Sequence, residues 1–181
     1  MSHTQVDLKG KVVMITGASR GIGKAIATRM ASHGAHLVLA ARSQGPLDEI
    51  VHHLKDKYSI EAIGIPTDVG KLVDLQNLVA RAKAHFKHID ILINVAGVSS
   101  QHPFHLQPIE DFEMLANTNY LGYVRLIRLV IPDMVERKSG HLINVVSGST
   151  SVDPETTLIK CPLLRSTMSG ITKRIKRTYP K

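Results

Sequence analysis

Thr16-Gly17-Ala18-Ser19-Arg20-Gly21-Ile22-Gly23 decides how the rest of this chain is read. It follows an unbroken apolar run, Val12-Val13-Met14-Ile15, and leads into Ala25-Ile26-Ala27-Thr28-Arg29-Met30, a run of good helix formers. The pattern is strand, glycine turn, helix. A strand that is apolar at every residue is covered on both faces, as in a parallel sheet between helices. Glycines after such a strand let the backbone turn tightly and come close to a ligand. The first N–H groups of the next helix, backed by its dipole, then point at an anion. The stretch therefore reads as a seat for the diphosphate of a dinucleotide. Its spacing is G-x-x-x-G-x-G rather than the commoner G-x-G-x-x-G. A plain strand–helix joint is the ordinary alternative, and the rest of the chain must decide.

Outward from the turn, the same unit repeats. Lys11 to Thr16 reads as the first strand, and a helix from about Gly21 to His33 ends at Gly34, a good C-terminal cap. His36 to Ala41 is a second buried strand, Arg42 to Pro46 a turn, and Leu47 to Lys57 an amphipathic helix. Ala62 to Ile65 is a third strand, and Asp68 and Gly70 can open the next helix, apolar at Leu75, Leu78, Val79, Ala82 and Phe86. A fourth strand, Ile89 to Ile93, runs into Asn94-Val95-Ala96-Gly97. One long helix is expected from about Ile109 to Arg137, bent near Pro132 and capped by Gly140. His141 to Val146 is a fifth strand, and a last helix is expected from Leu163 to about Arg177.

Strands alternating with helices in this way predict an α/β fold, a Rossmann-like doubly wound parallel sheet. Residues 1–181 read as a single dinucleotide-binding domain. Ligands of such sheets lie beyond the carboxyl ends of the strands. Thr16 to Gly23, Arg42, Asp68, Asn94 to Gly97 and Ser147 all collect there. That coincidence at five strand ends is what favours a binding site over five ordinary loops.

The end of the second strand chooses the cofactor. An acid there would bond the adenosine ribose and favour NAD, whereas this strand ends Ala40-Ala41-Arg42. An arginine meets a 2′-phosphate through its planar fork, and Arg20 in the glycine turn is close enough to help. NADP(H) is therefore expected over NAD(H), the alternative being that the arginines form surface salt bridges. Gly17, Ser19, Arg20, Gly21, Ile22, Gly23 and Arg42 would hold the phosphates. Asp68 would accept from the adenine amino group with Val69 packed on the ring, and Asn94, Ala96 and Gly97 would line the remainder. An ordinary helix N-cap is a second role open to Asp68.

Composition limits the other classes. The net charge is +8, but Arg165, Lys173, Arg174, Lys176, Arg177 and Lys181 supply six of the 23 basic residues, with no acid among them. A basic tail of this kind is the ordinary solvated face of a helix, and nothing resembles a nucleic-acid module. No apolar run reaches the ~20 residues of a membrane span, and the N-terminus does not read as a signal peptide. Cys161 is the only cysteine, so no internal disulfide can form and a cytoplasmic location is expected. The histidine pairs His85/His88 and His102/His105 lack a third ligand nearby, and no metal site is expected.

Taken in order, Thr16-Gly17-Ala18-Ser19-Arg20-Gly21-Ile22-Gly23, Asp68-Val69, Asn94-Val95-Ala96-Gly97, Asn119-Tyr120-Leu121-Gly122 and Asn144-Val145-Val146-Ser147 resemble the motifs of the short-chain dehydrogenase/reductase family. The resemblance covers essentially the whole chain and is most similar to the classical reductases. It implies hydride transfer between a nicotinamide and a carbonyl or alcohol carbon. It also implies an Asn-Ser-Tyr-Lys tetrad in which Tyr is the general acid/base, Lys lowers its pKa, Ser bonds the substrate oxygen and Asn supports a relaying water. Asn119 and Ser147 match the first two members. Cys161 and Arg165 stand where Tyr and Lys belong, and none of Tyr58, Tyr120, Tyr123 and Tyr179 has Lys four residues on. By the same resemblance, the usual last two strands are missing and the chain reads as truncated at its C-terminus. An active oxidoreductase taking a small carbonyl or alcohol substrate, and a catalytically impaired relative that binds dinucleotide or a protein partner, both follow. On this resemblance the chain reads as a truncated isoform, a degenerate gene product, or one whose core a homo-oligomer or a completing partner would finish.

Overall fold

The computed structural model describes residues 7–99, 104–146 and 174–175. Five parallel strands and one short antiparallel strand form a single sheet. In chain order the elements are β1 (Val12–Thr16), α1 (Gly21–Ser32), β2 (His36–Ala41), α2 (Gln44–Tyr58), β3 (Ala62–Pro66), α3 (Leu72–Phe86), β4 (Ile91–Asn94), α4 (Ile109–Ala116), α5 (Gly122–Glu136), β5 (Gly140–Asn144) and β6 (Arg174–Ile175). The sheet order is β3-β2-β1-β4-β5-β6. The order reverses between β1 and β4, and there the chain-end crevice opens.

The apolar runs sit where their composition requires. All five residues of β1 are buried, because β2 and β4 flank it and helices cover both faces. Alternate residues of each strand feed two cores. Val13, Ile15, Leu37 and Leu39 meet Ala27, Leu47 and Leu54 of α1 and α2 on one face. Met14, Val38, Ile65 and Leu92 meet Leu78, Leu126 and Met134 of α3 and α5 on the other. The amino end is tied by buried Asp90, whose carboxylate accepts from Val12 N at 3.0 Å and lies 3.3–3.7 Å from side-chain nitrogens of Lys11, His88 and Arg137.

Several expected boundaries are corrected. The long helix over 109–137 is two helices joined by a π turn, Asn117–Leu121. Such turns insert one extra residue and mark functional positions. Here Gly122 lies so close to the loop after β3 that a Cβ would stand 2.6 Å from Val69 O. Arg125 Nη1 donates to Gly70 O at 3.0 Å and to Asn117 Oδ1 at 3.4 Å. Packing against that loop, not helical periodicity, sets the register. Gly140 does not cap α5. Lys138 takes the left-handed conformation (φ 52°), and Gly140 begins β5, pressed against Met134. α2 starts at Gln44 and takes Pro46 into its first turn, whereas α3 starts only at Leu72, after Lys71 as N-cap.

The expected last helix is wrong at Arg174 and Ile175. They pair antiparallel with β5, His141 opposite Arg174 and Gly140 opposite Ile175. The edge of β5 offers unpaired N–H and C=O groups that a strand can satisfy and a helix cannot.

Candidate functional site

Thr16, the last residue of β1, builds the crevice. Its side chain is fully buried, and its Oγ1 accepts the N–H groups of Val95 at 3.0 Å and Ala96 at 3.1 Å. One hydroxyl thus draws the loop after β4 against the loop after β1. Ala18 N donates to Ala40 O at 3.1 Å and fixes the glycine turn to β2 on its other side.

The glycines are required by contact. Gly17 has φ +66°, and a Cβ there would stand 2.9 Å from Ala96 Cα. At Gly23 a Cβ would stand 2.2 Å from Gly17 O, so α1 can rest on the turn only as glycine. These approaches leave the start of α1 facing outward. Arg20, its N-cap, is extended and makes no side-chain cap, and the first turn holds no acid. The N–H groups of Gly21, Ile22 and Gly23 have no partner within the helix by its geometry. Ile22 is 63% exposed. Bare amides, a positive dipole end and glycine walls make an anion seat, and the residues present fit a diphosphate.

Arg20 and Arg42 are both exposed, and neither side chain forms a hydrogen bond or ion pair among the described residues. The surface salt bridge considered for them is not made among the described residues. Ser19 is half-buried within the turn. Asp68 is half-buried too, and its Oδ1 accepts from Gly70 N at 3.0 Å while its own N–H donates to Asp74 Oδ2 at 2.9 Å. It shapes the turn before α3 and is not the N-cap, which is Lys71.

Two residues expected to contact the cofactor are buried. Val69 is only 7% exposed, with its side chain in the core that also holds Tyr123, so that side chain is not laid out for a ring to stack on. Asn94 is 1% exposed, and its Nδ2 donates to Asn144 Oδ1 at 2.9 Å inside the sheet ends. It belongs to the scaffold. Ala96 lies against Gly17, and Gly97 is exposed.

Asn119 sits in the π turn with both ends of its amide engaged. Oδ1 accepts from Val98 N at 2.9 Å, and Nδ2 donates to Val98 O at 2.8 Å. This two-point clamp holds the residue after Gly97. Tyr123, one turn on, donates its hydroxyl to Val145 O at 3.4 Å, and burial pushes its phenol far above the ordinary value. Ser147, Cys161 and Arg165 lie outside the described residues. β5 carries the chain to Asn144, three residues short of Ser147, and Val145 N bonds Asn94 O at 2.9 Å.

Sequence reasoning had not assigned Thr16, Asn144 or Arg125 their structural parts. Thr16 stands in the quoted turn, but only the fold shows what its hydroxyl meets. Of the two histidine pairs, the first resolves into local contacts, His85 with Glu61 at 3.2 Å and His88 with Asp90 at 3.3 Å, while His102 of the second lies outside the described residues. Among the described residues no group of three metal-ligating side chains is present, and no helix is long and apolar enough to cross a membrane. A hollow of about 650 Å³ lined by Lys9, His33, His36, Tyr58 and Ser59 lies at the amino ends of the strands. It is opposite the crevice and apart from this chemistry.

The short chain dehydrogenase family model matches residues 11–158. A fatty acyl-CoA reductase of Acinetobacter baylyi is 39% identical over 143 residues, which are 78% of this chain and 48% of that protein. An NADP-dependent 3-hydroxy acid dehydrogenase of Shigella flexneri is 36% identical over 141 residues, 77% of this chain and 54% of that one. Among solved structures, L-sorbose reductase from Gluconobacter frateurii complexed with NADPH and L-sorbose superposes with a TM-score of 0.82 at 31% identity, covering 93% of this chain and 62% of that one. The chain thus spans about half to three-fifths of the length of these relatives. With the glycine turn, the reversal of sheet order and the strand-end motifs in place, the chain belongs to the short-chain dehydrogenase/reductase family.

Proposed function

We propose that this chain binds NADP(H) and serves an oxidoreductase reaction on a small carbonyl or alcohol substrate. The observation that carries the proposal is the pair of unpaired arginines, Arg20 and Arg42, beside an uncapped helix start and a second strand that ends without an acid. When bound, the cofactor supplies or takes a hydride. The amides of Gly21 to Gly23 hold its diphosphate, Arg20 and Arg42 meet the 2′-phosphate, and Asp68 offers a carboxylate to the adenine amino group. Ala96 and Gly97 present backbone to the nicotinamide half. Asn119 keeps that backbone in place through Val98, and Ser147 bonds the substrate oxygen. Support comes from two relatives whose names record NADP dependence or an NADPH complex.

A second reading rests on Cys161 and Arg165, which occupy the expected Tyr and Lys positions. A thiol is shorter than a phenol, and an arginine is a poor substitute at a site shaped for lysine. On this reading the chain binds dinucleotide without turnover. Titration with NADPH and NADH, followed by melting temperature, tests binding. NADPH should stabilise more than NADH, and Arg42→Asp should reverse the order. No shift with either cofactor overturns the proposal. Turnover of a ketone panel then separates the readings. Activity lost on Ser147→Ala favours the first, and activity gained only by Cys161→Tyr/Arg165→Lys favours the second.

A further inference from the structure

Asn94 and Asn144 end adjacent parallel strands in direct register, on the face that carries Leu92 and Leu142. Their amides share one hydrogen bond, Asn94 Nδ2 to Asn144 Oδ1 at 2.9 Å. The other half of each amide, Asn94 Oδ1 and Asn144 Nδ2, is buried with no hydrogen-bond partner among the described residues. Exchanging O and N in both amides reverses the shared bond and still leaves one acceptor and one donor over. The mismatch belongs to the pair, not to the assignment of its atoms.

The side chains around the strand ends make other hydrogen bonds. Thr16 Oγ1 accepts two backbone N–H groups, Asn119 spends both amide ends on Val98, and the Tyr123 hydroxyl donates to Val145 O. Buried polar groups in folded proteins find partners, and where side chains do not supply one an internal water does. A water donates and accepts at once, which is what one leftover acceptor and one leftover donor require. Both leftover atoms are shut off from bulk solvent.

We infer that the Asn94–Asn144 pair holds one internal water molecule, which donates to Asn94 Oδ1 and accepts from Asn144 Nδ2. The water completes a strut between the ends of β4 and β5. On one side the strut leads through Val95 and Ala96 to Thr16, and on the other through Val145 toward Ser147. The site is independent of whether the chain turns over substrate.

The test is a high-resolution crystal structure of the full chain. Density for a water within about 2.7–3.2 Å of an amide end of both Asn94 and Asn144 is expected. Density that is absent, or a protein group from residues 147–173 on those atoms, overturns the inference. The same crystals of Asn94→Leu/Asn144→Leu should lose the water while Val145 N still bonds residue 94 O. Should that variant not fold, selective labelling of asparagine side chains in the wild type decides. A long-lived water contact to the Asn144 amide protons supports the site, and its absence refutes it.

Discussion

Replacing Thr16 by valine removes one oxygen and keeps the shape of the side chain. That oxygen is fully buried and accepts two backbone N–H groups, from Val95 and Ala96. Valine leaves both donors facing a methyl group. Each unsatisfied, half-buried donor costs about 1–2 kcal/mol, so the pair predicts a loss of about 2–4 kcal/mol. Thr16→Ser keeps the acceptor and loses one buried methyl, worth about 1 kcal/mol. For a domain of this size 1 kcal/mol moves the melting temperature by about 2–4 °C. Valine should therefore lower it by roughly 5–15 °C and serine by no more than about 4 °C. The assay is thermal or urea unfolding of the three proteins side by side. The same comparison should show cofactor affinity falling in the order Thr, Ser, Val, because the hydroxyl sets Ala96 against Gly17. If valine is as stable as serine, the hydroxyl does not hold the two loops together and the account of the crevice fails.

Gly23→Ala should both destabilise the fold and abolish cofactor binding, since the new Cβ would start 2.2 Å from Gly17 O and must push α1 off the turn. Circular dichroism with NADPH titration checks it, and an alanine variant that binds normally would refute the packing argument. Tyr123 gives a pH signature. Burial raises its phenol, so above the ordinary tyrosine pKa of ~10 the unfolded chain loses a proton that the folded chain keeps. The folded state then binds more protons, and stability falls as pH rises, by up to about 1.4 kcal/mol per pH unit. Tyr123→Phe should remove that slope between about pH 10 and 12, while costing little at pH 7 because its hydrogen bond is long at 3.4 Å. Unfolding midpoints of both proteins across that range decide it.

The sheet, its two covered faces and the glycine turn are legible in the residues alone. Strand periodicity and apolar runs are local properties, and Val12 to Ile15 could be buried only one way. So is the absence of an acid after β2, which turns on residue type alone. Tertiary structure decided the rest. Asn119 falls within the one long helix expected over 109–137, and only the approach of Gly122 to Val69 O inserts the π turn that sends its amide to Val98. Asn94 and Asn144 are 50 residues apart and meet only through parallel register. Arg174 and Ile175 read as helix until the edge of β5 offers them partners. In each case the deciding group lies far along the chain, so its hydrogen bond or contact distance leaves no periodic trace in the residues nearby.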